Sequence, residues 1–294
     1  MTDVGAGAYI LDLDTRFERY GRSHPSCVFR DASDDFWLWA NTEGRDVSPI
    51  LRDMLPGLPG ERQQNRWTGK SGRDTQLEGF GIYRAFRDLC DRHFGSIREL
   101  VPVLDFGCGW GRVIRYFLKD VESGQLLGAD YDQENVDFCR SSNAWCTFMR
   151  NEAAPPLPVD DCSVGYVYAY SVFSHFSEPM HRQWLEEFKR VLRPGGALAV
   201  TVRPRSFIEN TRRLRQQGSD RITARLFTDT DAALARYDSG RFCFDPYNAN
   251  AENSWWGEAC IPRSYVAEHW SDLFDIVDFQ TAGELKQHLV LLRA

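Results

Sequence analysis

The chain has 294 residues, 43% of them hydrophobic, and a formal net charge of −7 at pH 7. That length and apolar share support a sizeable globular core, while the acidity argues against a non-specific polyanion binder, whose affinity rests on neutralising phosphates. No apolar run approaches the ~20 residues of a membrane-spanning helix, and no basic-then-apolar leader is visible, so a cytoplasmic protein with no membrane partner is expected.

Eight cysteines are scattered without a C-x-x-C pair. They read as reduced, mostly buried thiols, and neither a disulfide framework nor a metal site is expected. Residues 1 to about 95 contain an aromatic cluster (Phe36, Trp37, Trp39), three spaced prolines and the stretch Trp67-Thr68-Gly69-Lys70-Ser71-Gly72. Helical spacing from Leu77 through Phe80, Tyr83, Phe86 and Leu89 predicts a helix. The glycines flanking Lys70 and Ser71 suit either a hinge or an ordinary surface loop.

The most informative run is Val103-Leu104-Asp105-Phe106-Gly107-Cys108-Gly109-Trp110-Gly111-Arg112. It reads as a buried strand, a glycine turn and then a helix carrying Val113, Ile114, Phe117 and Leu118. Such a turn lets backbone approach a ligand, because no Cβ stands in the way. A dinucleotide fingerprint would need glycine where Arg112 stands, and a phosphate loop would need Gly-Lys-Ser/Thr. Next, Leu126-Leu127-Gly128-Ala129-Asp130 reads as a second strand ending in an acid. A carboxylate there can accept both ribose hydroxyls of a nucleoside; Asp132 is the better-placed helix cap and leaves Asp130 for a ligand.

Ser163 to Tyr170 reads as another strand, followed by Ser171-Val172-Phe173-Ser174-His175-Phe176 and an amphipathic helix with Trp184, Leu185, Phe188, Val191 and Leu192 on one face. Arg193-Pro194-Gly195-Gly196 should stop that helix before a strand from Ala197 to Val202. An arginine-rich segment follows, from Arg203 to Arg225. It is either a solvated helix face or, through Arg203 or Arg205, a contact for an anionic substrate. Residues 206 to 260 read as an irregular, glycine-punctuated segment with Tyr247, Trp255 and Trp256 near its end. Such aromatics fit a cap over an apolar pocket or a homodimer contact, and the sequence leaves both open. A helix through Tyr265 and Trp270 and two strands, Phe274–Phe279 and His288–Leu292, complete the chain.

Acid-x-Gly-x-Gly-x-Gly after a first strand, the acid at the end of the second and Pro-Gly-Gly before the fifth resemble the class I S-adenosylmethionine (SAM) dependent methyltransferases. The resemblance covers about residues 98 to 205 and implies an α/β, Rossmann-like seven-stranded sheet with helices on both faces. It divides the chain into an N-terminal extension or lid (1–95), a SAM-binding core (96–205 and 261–294) and a substrate cap (206–260). It also implies SAM as cofactor, held by Asp105, Gly107, Cys108, Gly109, Gly111, Arg112, Asp130, Tyr131, Asn151 and Tyr170. The family's acid for the adenine amine would fall at Ala153, a departure from its pattern; Asn151 or Glu152, just before it, could supply the acceptor.

In this family the loop after the fourth strand lies beside the transferable methyl, which makes His175 the candidate general base. His181, inside the next helix, should face solvent. Trp67, Arg203, Arg205, Tyr247, Trp255 and Trp256 are the candidate substrate contacts. The acceptor expected is an O or N atom of a small molecule, a secondary metabolite or saccharide. No Asn-Pro-Pro-Tyr or Asp-Pro-Pro-Tyr follows the fourth strand, so nucleic acid is not expected. An NAD-type oxidoreductase and a non-catalytic binding protein are the alternatives.

Overall fold

The computed structural model describes residues 3–249 and 254–294; the side chains of residues 3–6 and of Trp67 lie outside the described set. The chain divides into two compact units, Met1–Arg150 and Asn151–Ala294. Their secondary structure belongs to a Rossmann-like α/β fold. The strands are β1 (Val103–Phe106), β2 (Leu126–Asp130), β3 (Thr147–Arg150), β4 (Val164–Ala169), β5 (Leu192–Val202), β6 (Cys243–Pro246), β7 (Gly257–Cys260), β8 (Asp275–Gln280) and β9 (His288–Arg293). Within the first unit the sheet order is β3-β2-β1, and within the second it is β4-β5-β9-β8.

In the first unit β1 pairs parallel with β2, and β2 with β3. All four residues of β1 are buried, as expected for a parallel strand covered on both faces. Phe36, Trp37 and Trp39 lie in the core, on a helix over Asp34–Asn41 capped by the Ser33 hydroxyl. The Trp37 indole N–H donates to the Tyr116 carbonyl at 2.9 Å.

The predicted helix from Leu77 to Leu89 runs from Gly72 to Phe94. At Gly79 a Cβ would stand 2.9 Å from the carbonyl oxygen of Arg112, so glycine lets this helix lie directly against the glycine turn. The helix expected after that turn is a single one, Ile114–Phe117. The reason is burial on every side: Arg115 and Tyr116 are as enclosed as Ile114 and Phe117. No exposed face remains to sustain an amphipathic pattern.

In the second unit β4 runs parallel to β5, and β9 lies antiparallel between β5 and β8. The helix Glu178–Val191 starts with a proline in its first turn and buries Trp184, Leu185, Phe188 and Val191. Arg193-Pro194-Gly195-Gly196 does not lie outside the strand as expected. Leu192 already pairs with Val164, and the register shifts before Tyr166 meets Ala197, so the four residues sit within β5 at an irregularity.

Residues 206–260 are likewise more regular than expected. They hold most of a helix over Arg205–Gln216, a second over Thr230–Asp238, and a β6–β7 hairpin. Ile208, Leu226, Phe227, Cys243 and Cys260 form a small core of their own there. The arginines serve this local structure: Arg215 donates to the carbonyls of Ala224, Leu226 and Phe227, and Arg212 pairs with Asp231. All eight cysteines are free thiols, and no helix among the described residues is long and apolar enough to cross a membrane.

His181 corrects the sequence reading. It is 2% exposed rather than solvent-facing, packed edge-on against Phe173 and Phe242. Its Nε2–H donates to the Phe173 carbonyl at 2.6 Å, an anchor on the loop before the helix that helical periodicity does not reveal. Burial pushes its pKa down to about 3 against the opposing hydrogen bond. The unfolded chain therefore takes up a proton near pH 6.5 that the folded chain refuses until about pH 3. Stability should fall across that window as pH drops, by ~1.4 kcal/mol per unit for this proton. Denaturant titrations at several pH values check it: His181→Gln, which can still donate to Phe173, should remove one proton from the slope.

Candidate active site

In the first unit the chain leaves β1 through Gly107, Gly109 and Gly111, with φ of +77°, +53° and +79°. These left-handed values favour glycine strongly. The turn is stitched to β2: the N–H groups of Gly107 and Cys108 donate to the Ala129 carbonyl at 2.8 and 3.1 Å, and the Gly109 N–H donates to Asp130 Oδ2 at 2.7 Å. Asp130 Oδ1 accepts from the Asp132 N–H at 2.9 Å and the Asn135 amide at 3.3 Å. Asp132 caps the Gln133–Ser142 helix, as predicted, but Asp130 is not thereby left idle. It ties glycine turn to helix start, using three of about four acceptor sites on its carboxylate. Burial pushes its carboxyl up, and the two backbone N–H donors oppose that.

Around Gly109 the position of a Cβ would be open, with nothing within 4 Å. A ligand can therefore reach the backbone there. Cys108 is buried, and its thiol is held well above its ordinary pKa by contact with Cys139 and by burial, which suits packing rather than nucleophilic chemistry. Asp105 is buried within β1, while Tyr131 is 56% exposed, with the Arg150 guanidinium 6.0 Å from its ring. Arg112 forms an ion pair with Glu78 at 2.6 Å, and Lys70 pairs with the same carboxylate at 2.9 Å. Trp67 falls in the Glu61–Thr68 helix, and its side chain lies outside the described residues.

In the second unit Asn151 is buried, and its amide donates to the Glu152 carbonyl at 2.8 Å. Its Oδ1 has no partner among the described residues, so an acceptor oxygen remains, the group an exocyclic amine requires. Tyr170 is half-buried just past β4. Ser171 follows with φ +58°, a strained value for a residue with a Cβ. Its N–H donates to the buried Thr201 hydroxyl at 2.7 Å, and its Oγ accepts from the Gln287 amide at 2.9 Å.

His175 ends the next short turn, its side chain 17% exposed. Nδ1 lies 3.0 Å from the Gly257 carbonyl oxygen. A carbonyl can only accept, so Nδ1 carries the hydrogen and Nε2 is the bare nitrogen. The ring stacks on Trp256 at 4.7 Å, with Tyr247 at 6.3 Å. Trp255 stands edge-on to Trp256 at 5.7 Å, and its carbonyl accepts from the Ser177 N–H at 2.8 Å. Burial lowers the pKa of His175 and Arg203 adds to that, while Glu258 and the Gly257 bond oppose it.

His175, Arg203 and Tyr247 thus meet around Glu258, a residue that sequence reasoning did not single out. Glu258 is 1% exposed. It receives the Tyr247 hydroxyl at 2.6 Å and both Nε and Nη2 of Arg203, whose guanidinium also lies 4.2 Å from the Phe207 ring centre. A lone acid beside two tryptophans gives no local signal of burial; only the pairing of β6 with β7 turns it inward. Arg205 does not join the group. It is 40% exposed and forked onto Asp238 at 2.7 and 2.9 Å. No cluster of three metal-ligating side chains occurs among the described residues.

Residues 103–196 match the family model described as a methyltransferase domain. Over 197 residues the chain is 27% identical to the trans-aconitate 2-methyltransferase of Azoarcus sp. (strain BH72), covering 66% of this chain and 68% of that enzyme. A 96-residue stretch is 32% identical to a phthiotriol/phenolphthiotriol dimycocerosates methyltransferase of Mycobacterium tuberculosis, covering 32% of this chain but only 34% of that enzyme. Among solved structures, a SAM-dependent methyltransferase from Mesorhizobium loti aligns with a TM-score of 0.47 at 14% identity, over 74% of this chain and 98% of that one. The matched domain contains the glycine turn, Asp130, Asn151 and His175, whereas Arg203, Tyr247, Trp256 and Glu258 lie beyond it. With that turn and that acid inside the matched stretch, residues 103–196 are a methyltransferase domain of the class I kind, whose cofactor is SAM.

Proposed function

We infer that this methyltransferase modifies an O or N atom of a small molecule, a secondary metabolite or saccharide, with His175 as general base. The observation that carries this reading is the bond from His175 Nδ1 to the Gly257 carbonyl, which leaves Nε2 as a proton acceptor. Burial lowers the His175 pKa, so the ring is neutral at physiological pH and ready to accept. An acceptor hydroxyl or ammonium loses its proton to Nε2 as its lone pair becomes the nucleophile. Trp256 stacks on the ring, and Tyr247 packs beside both. Trp255 adds apolar surface for the acceptor.

In this reading the first unit supplies the glycine-turn and ribose contacts to the cofactor. Gly109 offers open backbone, Asp130 has one carboxylate acceptor site left for a ribose hydroxyl, and Gly107, Gly111 and Asp105 shape the turn. Asn151 Oδ1, an acceptor with no partner among the described residues, is the kind of group an adenine amine requires. SAM supplies an electrophilic methyl on a sulfonium sulfur. Tyr131 and Tyr170 flank these residues in sequence, while Arg112 acts through its ion pair with Glu78.

An acid acceptor, as in the name of the Azoarcus relative, is the second reading. Arg203 would be its clamp, but here Glu258 takes that guanidinium. A carboxylate acceptor at neutral pH also has no proton to give, which would leave His175 without a task. The test supplies SAM and follows S-adenosylhomocysteine release with hydroxyl- and amine-bearing acceptors against trans-aconitate. Turnover with the hydroxyl or amine set is expected; turnover confined to trans-aconitate would overturn the reading.

A further inference from the structure

We propose that Glu258 is a positioning residue for His175: a buried carboxylate that fixes the imidazole tautomer and steadies the charge the ring acquires on taking a proton. This rests on the general-base reading of His175, yet its test does not depend on turnover. The argument starts from cost. Burying a carboxylate is expensive unless it is fully paired, and β7 carries Glu258 inward at 1% exposure. The chain meets that cost with three donors, Nε and Nη2 of Arg203 and the Tyr247 hydroxyl.

If the acid only pinned the β6–β7 hairpin to the end of β5, nothing would require the imidazole beside it. Glu258 Oε1 lies 3.6 Å from His175 Nδ1, on the side of the ring that already carries hydrogen. The neighbouring residue, Gly257, supplies the carbonyl that accepts that hydrogen at 3.0 Å. Two consecutive residues of one strand therefore define the Nδ1 edge, one by hydrogen bond and one by charge. When Nε2 takes a proton, the positive ring faces a carboxylate that cannot move, because Arg203 and Tyr247 hold it. Arg203 moderates the effect, since its own charge acts on the ring in the opposite sense. The charged and titratable groups facing His175 are thus Glu258 from β7, Arg203 after β5 and Tyr247 after β6.

Nitrogen NMR of the full chain with labelled histidine tests this directly. There are six histidines, and the His175→Gln spectrum identifies the signal to follow. In the wild type that signal should report hydrogen on Nδ1 and none on Nε2. Glu258→Gln keeps a side chain of the same shape but removes the charge. Its His175 midpoint should move down by about one pH unit, the scale expected for a nearby opposite charge. Tyr247→Phe removes one donor from the carboxylate and leaves the charge, so the midpoint should move up. Opposite shifts in two variants that both disturb the same hairpin are not what a purely structural role produces. Unchanged midpoints in folded Glu258→Gln and Tyr247→Phe, or a shift in the same direction in both, would overturn the proposal. If Glu258→Gln fails to fold, an upward shift in Tyr247→Phe supports the proposal and an unmoved midpoint refutes it. Normal turnover of His175→Gln would instead sink the general-base reading and leave the NMR result standing.

Discussion

Asp130→Ala should bind S-adenosylhomocysteine at least about tenfold more weakly than the wild type in isothermal titration. The effect has two sources. Hydrogen bonds to a charged acceptor contribute ~1.5–3 kcal/mol each, so one lost ribose contact at the remaining acceptor site already amounts to roughly tenfold to a hundredfold. The second source lies within the chain. Asp130 receives the Gly109 N–H, the Asp132 N–H and the Asn135 amide, and alanine leaves all three without that acceptor. The glycine turn then loses its tie to the start of the helix. Asp130→Asn separates the two contributions, because its amide oxygen can still accept from Gly109. Near-normal binding by Asp130→Asn would assign the carboxylate a structural task alone, and normal binding by Asp130→Ala would remove it from the cofactor site.

His175→Ala should lower kcat by about a hundredfold to ten-thousandfold, the usual contribution of a positioned general base, while S-adenosylhomocysteine binds as before. The ring is neutral because burial lowers its pKa from the ordinary 6.5. The sign of the pH effect follows. The base is lost only when the ring takes a proton, so the acidic limb of kcat/KM should fall below pH 6.5 in the wild type and vanish in the variant. His175→Ala also removes the surface that stacks on Trp256, so the thermal midpoint should drop modestly. A variant with intact turnover, or one with an unchanged acidic limb, would place the base elsewhere.

These two expectations draw on different kinds of information. The turn from Gly107 to Gly111 and the acid at Asp130 are legible because a left-handed turn demands glycine and a strand end demands a short local pattern. Both properties belong to a few consecutive residues. The helix of Gly72–Phe94 and the helix of Glu178–Val191 are legible for the same reason, since 3.6-residue periodicity is local. At Ile114–Phe117 the same spacing marks a helix but not its length of only four residues. It also misleads at His181, whose place within a helix says nothing of what packs against it from Phe173 and Phe242.

The candidate acceptor residues were harder. His175 could be proposed from its position after the fourth strand, but Glu258 had no mark in the sequence. It sits more than eighty residues from His175, and a carboxylate in an acidic chain is ordinarily solvated. Arg203 and Arg205 look equivalent as two arginines after a strand, yet one is drawn inward by Glu258 and the other lies on the surface with Asp238. Amino-acid order alone was enough for the glycine turn and the buried strands, because short-range sterics and hydrophobic patterning dictate them. Which histidine is buried, which arginine is paired inward and which acid faces the imidazole were decided by the β6–β7 hairpin and the strand register, because only tertiary contact determines which charges lose their water.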